Sequence, residues 1–170
     1  MNKNICNFLI KYFNDNRVGK EQITKLLKTE TATNFLLIWS IFESKCFNGF
    51  CRDDLIVKYN DVFTDKKIKK DFEKLVQVFH NRYQDKNKWK NLCYKNENKN
   101  VTDIKNKRYE DLTEEEKLIF GLYVVFRFRN NIFHDNKKLD SWLAYKEQIN
   151  NCISMMLNIM IDKNITTDTQ

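Results

Sequence analysis

The chain has 170 residues with no proline and three glycines, and 42% of its residues are hydrophobic, a composition that favours a single all-α domain because proline and glycine interrupt long helices. Its net charge of +7 is compatible with an anionic partner. The five cysteines have no paired metal-ligand spacing, which argues against a disulfide framework and a zinc site. No apolar run has membrane length, which argues against a transmembrane segment. We therefore expect reduced thiols in a cytoplasmic protein.

Apolar residues recur at helical spacing along much of the chain. Five segments in the first 94 residues show this pattern, and the spacing predicts helices over residues 3–14, 20–29, 33–47, 53–60 and 67–94. The Asn48–Gly49 pair is expected to form the turn that ends the third of these helices. Residues 95–111 are polar, and we expect a loop there.

Two more helices are predicted after this loop. Thr113 and Glu116 have the spacing of a capping box, so a helix is expected to begin near residue 114. Asp140 or Ser141 is expected to cap a last helix that runs to about residue 162, followed by a disordered tail over 164–170. The simplest packing is an antiparallel bundle of about four main helices with short additional helices, in one domain over residues 1–163.

The positive charge is concentrated in the middle of the chain. Residues 66–108 hold fourteen Lys or Arg and five Asp or Glu, a balance of +9, whereas residues 1–65 carry +1 and residues 109–170 carry −3. Aromatic residues lie among the lysines, as in Lys88-Trp89-Lys90, and such segments attract nucleic acid through phosphate neutralisation and base stacking. The alternative is a solvated, lysine-rich helix face.

A group of strongly polar residues follows the most apolar segment. The helix predicted from residue 114 has hardly a polar face after its first turn, so it is expected to be buried. It runs into Arg129, Asn130 and His134, and such groups at the edge of a core need partners or a function. On a continuous helix Asn130 and His134 lie about 40° apart, and Arg129 lies about 140° from His134. A permanently charged guanidinium, an amide and an imidazole together suit a phosphodiester.

The segment Arg129-Asn130-Asn131-Ile132-Phe133-His134 resembles the motif of HEPN domains, in which an arginine is followed by a polar residue, a few further residues and a histidine. The next residues, Asn136-Lys137-Lys138, are similar to the Gly- and Lys-bearing segment that often follows this histidine, although Asp135 and Asn136 stand where glycines are common. The resemblance is sharp over about ten residues, and elsewhere only the helical pattern is shared.

The resemblance implies a helical bundle and a metal-independent endoribonuclease without a cofactor, which in such families can be a toxin or an antiviral defence effector. His134 would then transfer protons, Arg129 would bind the phosphate, and Asn130 would hold the imidazole or a phosphate oxygen. The products would carry a 2′,3′-cyclic phosphate, and DNA would resist cleavage. Some HEPN toxins carry a tyrosine two positions after the histidine that a partner enzyme modifies. Asn136 occupies that position here, so control by this modification is not expected, and a different antitoxin is the alternative.

The resemblance also implies a homodimer with a shared active site. One histidine cannot easily act as both base and acid, and a two-fold axis would bring two copies of His134 and Arg129 into one cleft. The apolar helix over 114–128 and the Met155-Met156 region are expected to supply hydrophobic surface for this contact.

Further candidates surround the motif. Lys137 and Lys138 could contact phosphate. Glu43, one turn after Trp39, could orient His134 or could lie on the surface as an ordinary acidic residue.

Two basic residues are expected to lie away from the site. Arg127 points nearly opposite Arg129, which favours a surface or salt-bridge position, with RNA binding as the alternative. His80 lacks an arginine at motif spacing and is expected on the exposed side of a basic helix.

Two other classes of protein stay open. A non-catalytic HEPN module would bind RNA or nucleotide, or mediate a protein interaction, and would keep its binding in a His134→Ala variant. A structural helical protein in which the motif is a coincidence would show neither RNA affinity nor dependence on Arg129.

Overall fold

A computed structural model describes residues 30–58, 69–133 and 144–162. Within these ranges the regular structure consists of seven α-helices and one 3-10 turn, with no strand, which confirms the all-α prediction. The helices are α1 (Glu30–Phe47), α2 (Asp53–Lys58), α3 (Lys70–Tyr83), α4 (Lys86–Cys93), α5 (Lys99–Asn106), α6 (Glu114–Phe133) and α7 (Lys146–Asp162). The predicted helices over 3–14 and 20–29, the cap at Asp140 or Ser141 and the tail after residue 163 lie outside the described residues.

The four longest described helices are α1, α3, α6 and α7, as expected for four main helices with short additions. Helix α6 packs against α2, α3, α4, α5 and α7, while α1 packs against α7. The antiparallel order of the bundle and the domain limits stay predictions. No helix in the described ranges is long and apolar enough to cross a membrane.

The turn after α1 forms where the sequence predicts it. Asn48 and Gly49 have φ angles of 53° and 88°, values at which the backbone reverses sharply. The Gly49 amide donates to the Glu43 carbonyl over 3.1 Å, and the Phe50 amide donates to the Phe47 carbonyl over 3.2 Å. The turn therefore ends α1 and directs the chain into α2.

The prediction of one long helix over residues 67–94 is wrong, because the chain breaks at Gln84 and Asp85. The Asp85 side chain caps α4 by accepting hydrogen bonds from the amides of Asn87 and Lys88 over 2.9 and 3.1 Å. Gln84 donates through its side chain to the Lys105 carbonyl over 2.9 Å. The break turns α4 so that Trp89, Leu92 and Cys93 are buried.

The prediction of a loop over residues 95–111 is also wrong, since α5 and the 3-10 turn at Tyr109–Asp111 lie there. The Asn98 side chain caps α5 by accepting from the Val101 amide over 3.3 Å. Val101 and Ile104 lie three residues apart on one face and are buried. Two apolar residues and a cap are thus enough for a short helix that packs against α6.

Helix α6 begins as predicted and is the most buried element. The Glu116 amide donates to Thr113 Oγ1, and the Thr113 amide donates to Glu116 Oε2, both over 3.1 Å, which confirms the capping box. Every residue from Leu118 to Phe128 is buried. This confirms that the apolar helix lies in the core.

The apolar part of α6 and the pair Met155-Met156 do not supply the hydrophobic surface expected of them. Met155 and Met156 are both 0% exposed, and the apolar part of α6 is buried among its own neighbours. The exposed large apolar side chains lie elsewhere: Leu36, Leu37 and Ile41 on α1, Phe50 after α1, Val78 on α3, Tyr94 after α4 and Leu157 on α7.

His80 lies in the core, so its expected exposure on α3 is wrong. The side chain is 2% exposed. Its ring lies edge-on to those of Tyr109 and Phe120, with centroids 5.6 and 5.5 Å away. The face of α3 that carries His80 packs against α6. The lysine-rich sequence around His80 gives no sign of this packing. Burial lowers the pKa of the imidazole.

Candidate active site

The last two turns of α6 direct neighbouring polar side chains to different parts of the molecule, because successive residues point about 100° apart. Arg127 and Asn131 are each 3% exposed, whereas Arg129 and Asn130 are only partly buried. The first pair faces the interior and the second pair faces solvent beside α1. The two arginines of this segment therefore have different surroundings.

Arg129 is held against α1. Its guanidinium carbon lies 5.6 Å from the centroid of the Trp39 ring, a cation–π distance. Its Nη1 donates to Asn130 Oδ1 over 3.0 Å. Arg129 and Asn130, the first two residues of the candidate motif, thus contact each other.

Glu43 connects this arginine to the turn that follows α1. Its Oε2 accepts from the Trp39 indole over 3.1 Å, and its Oε1 accepts from the Cys51 amide over 3.0 Å. It therefore fixes both the ring under Arg129 and the chain after the turn. Each oxygen retains a second lone pair, and a contact of Glu43 with His134 stays a prediction.

Arg129, Asn130 and Glu43 line one open cleft of about 490 Å³, a volume typical of small-molecule sites. The other residues that line it are Phe50, Cys51, Arg52, Asp53, Asp54, Asn96, Phe126 and Arg127. The structure thus brings together three of the four residues that the sequence proposes for catalysis. His134, Lys137 and Lys138 lie outside the described residues.

Arg127 is structural, and the expectation that it lies on the surface is wrong. Its Nη2 donates to the Cys93 carbonyl over 2.6 Å, and its Nε donates to the Leu92 carbonyl over 3.3 Å. Asn131 Nδ2 also donates to the Leu92 carbonyl, over 2.8 Å. Carbonyls in the last turn of a helix lack partners within it, so Arg127 and Asn131 satisfy the end of α4 and bind it to α6.

Asp53 is a cleft residue that the sequence does not single out. Burial raises the pKa of this carboxyl group, the Arg127 charge opposes the rise, and Asp54 adds to it. Its Oδ1 is buried and has no hydrogen-bond partner in the described part of the chain. Asp53 therefore takes up a proton at a higher pH than an ordinary aspartate does.

Cys51 and Phe50 were missed as well. Burial raises the pKa of the Cys51 thiol well above its usual range, and the nearby Glu43 carboxylate raises it further, so this cysteine is not a reactive thiolate. Phe50 lies at the cleft with 63% of its side chain exposed. Residues 50–53 are remote from residue 129 in sequence, and the Asn48–Gly49 turn was the single local signal that the chain reverses near them.

The arrangement suits the binding of an anion. A guanidinium is a planar fork of N–H donors that matches phosphate or carboxylate oxygens, and that of Arg129 is held by an aromatic ring and an amide. Within the described ranges no group of three or more His, Cys, Asp or Glu side chains could hold a metal ion. The chain matches no protein-family model, no curated protein and no solved structure.

Proposed function

We propose that this protein is an endoribonuclease that cleaves RNA without a metal ion, through the 2′-hydroxyl next to the broken phosphodiester. The supporting observation is the cleft in which Arg129 and Asn130 lie together beside Glu43, at the end of the helix that leads into His134. A buried helix that ends in a preorganised cation and an amide at an open cleft has the parts needed to bind a phosphate next to a histidine.

The proposed reaction needs two proton transfers. His134 takes the proton of the 2′-hydroxyl, O2′ bonds to phosphorus, and the bond from phosphorus to the 5′-oxygen breaks as that oxygen gains a proton. The products are a 2′,3′-cyclic phosphate and a 5′-hydroxyl. Arg129 neutralises the charge that develops on the phosphate oxygens, and Asn130 holds the Arg129 guanidinium in place.

The basic segment supports an RNA substrate. Lysines 69, 70, 74, 86, 88, 90, 95, 99 and 107 are exposed along α3, α4 and α5, where they can neutralise phosphates at many positions. Asn96, which follows α4, lines the cleft, so this surface reaches the candidate site. Lys137 and Lys138 are proposed to add phosphate contacts on the other side of the motif.

A homodimer is part of the proposal, since a second His134 would supply the acid that complements the first as base. The apolar surface available for it lies on α1, where Leu36, Leu37 and Ile41 are 42%, 59% and 47% exposed. Leu36 lies about 60° around this helix from Trp39, so a contact that includes Leu36 would bring two clefts closer together. We propose a cytoplasmic setting, with a role as a toxin or in antiviral defence.

The second candidate is a non-catalytic module that binds RNA or nucleotide, or mediates a protein interaction. One observation favours it: the cleft is lined by as many acidic side chains (Glu43, Asp53, Asp54) as arginines. A balanced site attracts phosphate less strongly than a basic one. Such a module would bind RNA on the basic helices and leave it intact.

The test is the cleavage of a labelled RNA mixture in the presence of EDTA. We expect the wild type to cut RNA and leave cyclic-phosphate ends, and the His134→Ala and Arg129→Ala variants to lose this activity. Lys146→Ala is the control, since Lys146 is exposed on α7, lies outside the basic segment and does not line the cleft. RNA that stays intact with every protein, yet is bound by wild type and His134→Ala alike, would support the non-catalytic module instead.

A further inference from the structure

An exposed aromatic side chain lies at the rim of the cleft. Phe50 is 63% exposed, the highest value among the large hydrophobic side chains that the structure describes. Phe47, three residues earlier in the same turn, is 8% exposed and packs edge-on against Phe42 with centroids 5.6 Å apart. One phenylalanine of this turn thus joins the core and the other faces water, where its ring gains nothing from burial.

The backbone that carries Phe50 is fixed on both sides. The Phe50 amide donates to the Phe47 carbonyl over 3.2 Å, and the Gly49 amide before it donates to the Glu43 carbonyl over 3.1 Å. The Cys51 amide after it donates to the Glu43 carboxylate over 3.0 Å. A backbone held in this way loses little conformational freedom when a ligand binds, so the entropic cost of binding falls mainly on the Phe50 side chain.

The same carboxylate links Phe50 to the arginine of the motif. Glu43 also accepts from the Trp39 indole, and that indole lies beneath the Arg129 guanidinium. Glu43 therefore positions both the backbone of Phe50 and the Trp39 ring beneath Arg129. Phe50 and Arg129 line one cleft. A flat apolar face beside a phosphate-binding cation matches a nucleotide, whose base stacks while its phosphate is held.

We propose that Phe50 is a specificity-determining residue that stacks on an unpaired nucleobase adjacent to the phosphodiester bound by Arg129. The proposal rests on the proposed ribonuclease function and refines it. In a duplex both faces of each base are covered by neighbouring base pairs, so stacking on Phe50 requires a nucleotide that has left the helix. The substrate at this cleft is therefore a single-stranded or looped RNA, and Phe50 contributes to its binding without taking part in proton transfer.

The test measures binding separately from cleavage. A fluorescent single-stranded oligonucleotide with 2′-O-methyl groups lacks the attacking hydroxyl and stays intact, so its affinity is measured by anisotropy beside that of the matching duplex. We expect tighter binding of the single strand, and a loss of roughly tenfold or more in Phe50→Ala, the typical effect of removing one stacking residue. Phe50→Trp should retain the affinity, and Phe50→Leu, which is apolar but has no ring, should lose it.

Val78→Ala is the matched control, since Val78 is 50% exposed on α3 and does not line the cleft, and it should bind like the wild type. Melting curves verify that each variant folds. Folding is expected because both substituted positions are exposed. Wild-type affinity in Phe50→Ala, or equal affinity in Phe50→Leu, would overturn stacking. A fall in molar mass by light scattering in Phe50→Ala would also overturn it, in favour of a contact between two copies of the chain.

The ribonuclease proposal and the stacking proposal fail differently. Intact RNA after incubation with wild type removes the ribonuclease proposal, whatever the binding data show. Cleavage of RNA by wild type together with unchanged binding in Phe50→Ala removes stacking and leaves the ribonuclease proposal standing.

Discussion

Arg127 and Arg129 are chemically identical side chains two residues apart that do different work. About 200° of helical rotation separates them, so one faces the end of α4 and the other faces Trp39 on α1. Helical spacing in the sequence predicted that the two arginines point in nearly opposite directions, but it did not predict that Arg127 is buried. Its burial against the end of α4 appears only when the neighbouring helices are in place.

Substitution by methionine should separate the two roles. Arg127→Met removes two charged hydrogen bonds to the Leu92 and Cys93 carbonyls, each of which keeps one other donor, and we expect a loss of about 1–3 kcal/mol in the free energy of unfolding. Arg129→Met should cost about 1 kcal/mol, the size of a partly buried cation–π contact, yet reduce RNA cleavage by roughly a hundredfold or more. Urea denaturation and cleavage rates measure both. A stable Arg127→Met protein with Arg129→Met unfolded would contradict this assignment.

His80 makes stability depend on pH. Burial holds its pKa below the ordinary value of 6.5, so the folded protein favours the neutral imidazole. Its contribution to stability is therefore complete above pH 6.5 and is lost as the pH falls through this value towards the lower pKa of the folded state. We expect the free energy of unfolding to fall between pH 7.5 and pH 5.5, and to fall less in His80→Phe. Equal pH dependence in both proteins would show that His80 is not the cause.

At the scale of single elements, α6 supplies much of the core and carries Arg129 and Asn130 of the candidate site. Its capping box and its uninterrupted apolar run made it predictable from sequence. The break between α3 and α4 was missed, although residues 84–88 are all polar and Asp85 is a typical N-cap residue. A tertiary bond from Gln84 to the Lys105 carbonyl, which the sequence does not reveal, also favours the break. Helix α5 was missed because it has few apolar residues and forms by packing against α6.

Gly121 allows α3 and α7 to approach α6 closely. A Cβ atom at this position would lie 2.6 Å from Met155 Cε and 2.9 Å from Phe72 Cζ. Methionine can move aside and the phenylalanine ring moves less easily, so we expect Gly121→Ala to destabilise the protein by roughly 1–2 kcal/mol, although alanine favours a helix. Thermal and urea denaturation measure this change. Adding Phe72→Leu to Gly121→Ala should cost less than the sum of the single changes, and strict additivity would exclude this clash.

At the scale of the whole molecule, the positive charge and the candidate cleft are largely separate. The basic surface lies on α3, α4 and α5, while the cleft has equal numbers of arginine and acidic side chains. This separation suits a protein that binds RNA through one surface and acts on it at another. The sequence indicated the basic segment, the candidate motif and Glu43, but Asp53 and Phe50 come to line the cleft with Arg129 through folding, which no local pattern encodes.

Association of two copies should depend on the outer face of α1. We expect the wild type to form a dimer in sedimentation experiments, and Ile41→Glu to shift it towards the monomer, because Ile41 is 47% exposed and a carboxylate is poorly tolerated in an apolar contact. Cleavage should fall in parallel. Val78→Glu, an equally exposed change on α3, should leave the mass unchanged. A wild type that is monomeric at the concentration at which it cuts RNA would exclude a shared site.

The most direct measurement compares two oligonucleotides in EDTA: an RNA that the wild type cuts, and the same RNA with a single 2′-deoxy nucleotide at the cleaved position. We expect the RNA to be cut with a cyclic-phosphate end, the deoxy-substituted strand to resist at that position, and His134→Ala to cut neither. Equal cleavage of both strands, or cleavage that survives in His134→Ala, would contradict attack by the 2′-hydroxyl at a site built from Arg129 and His134.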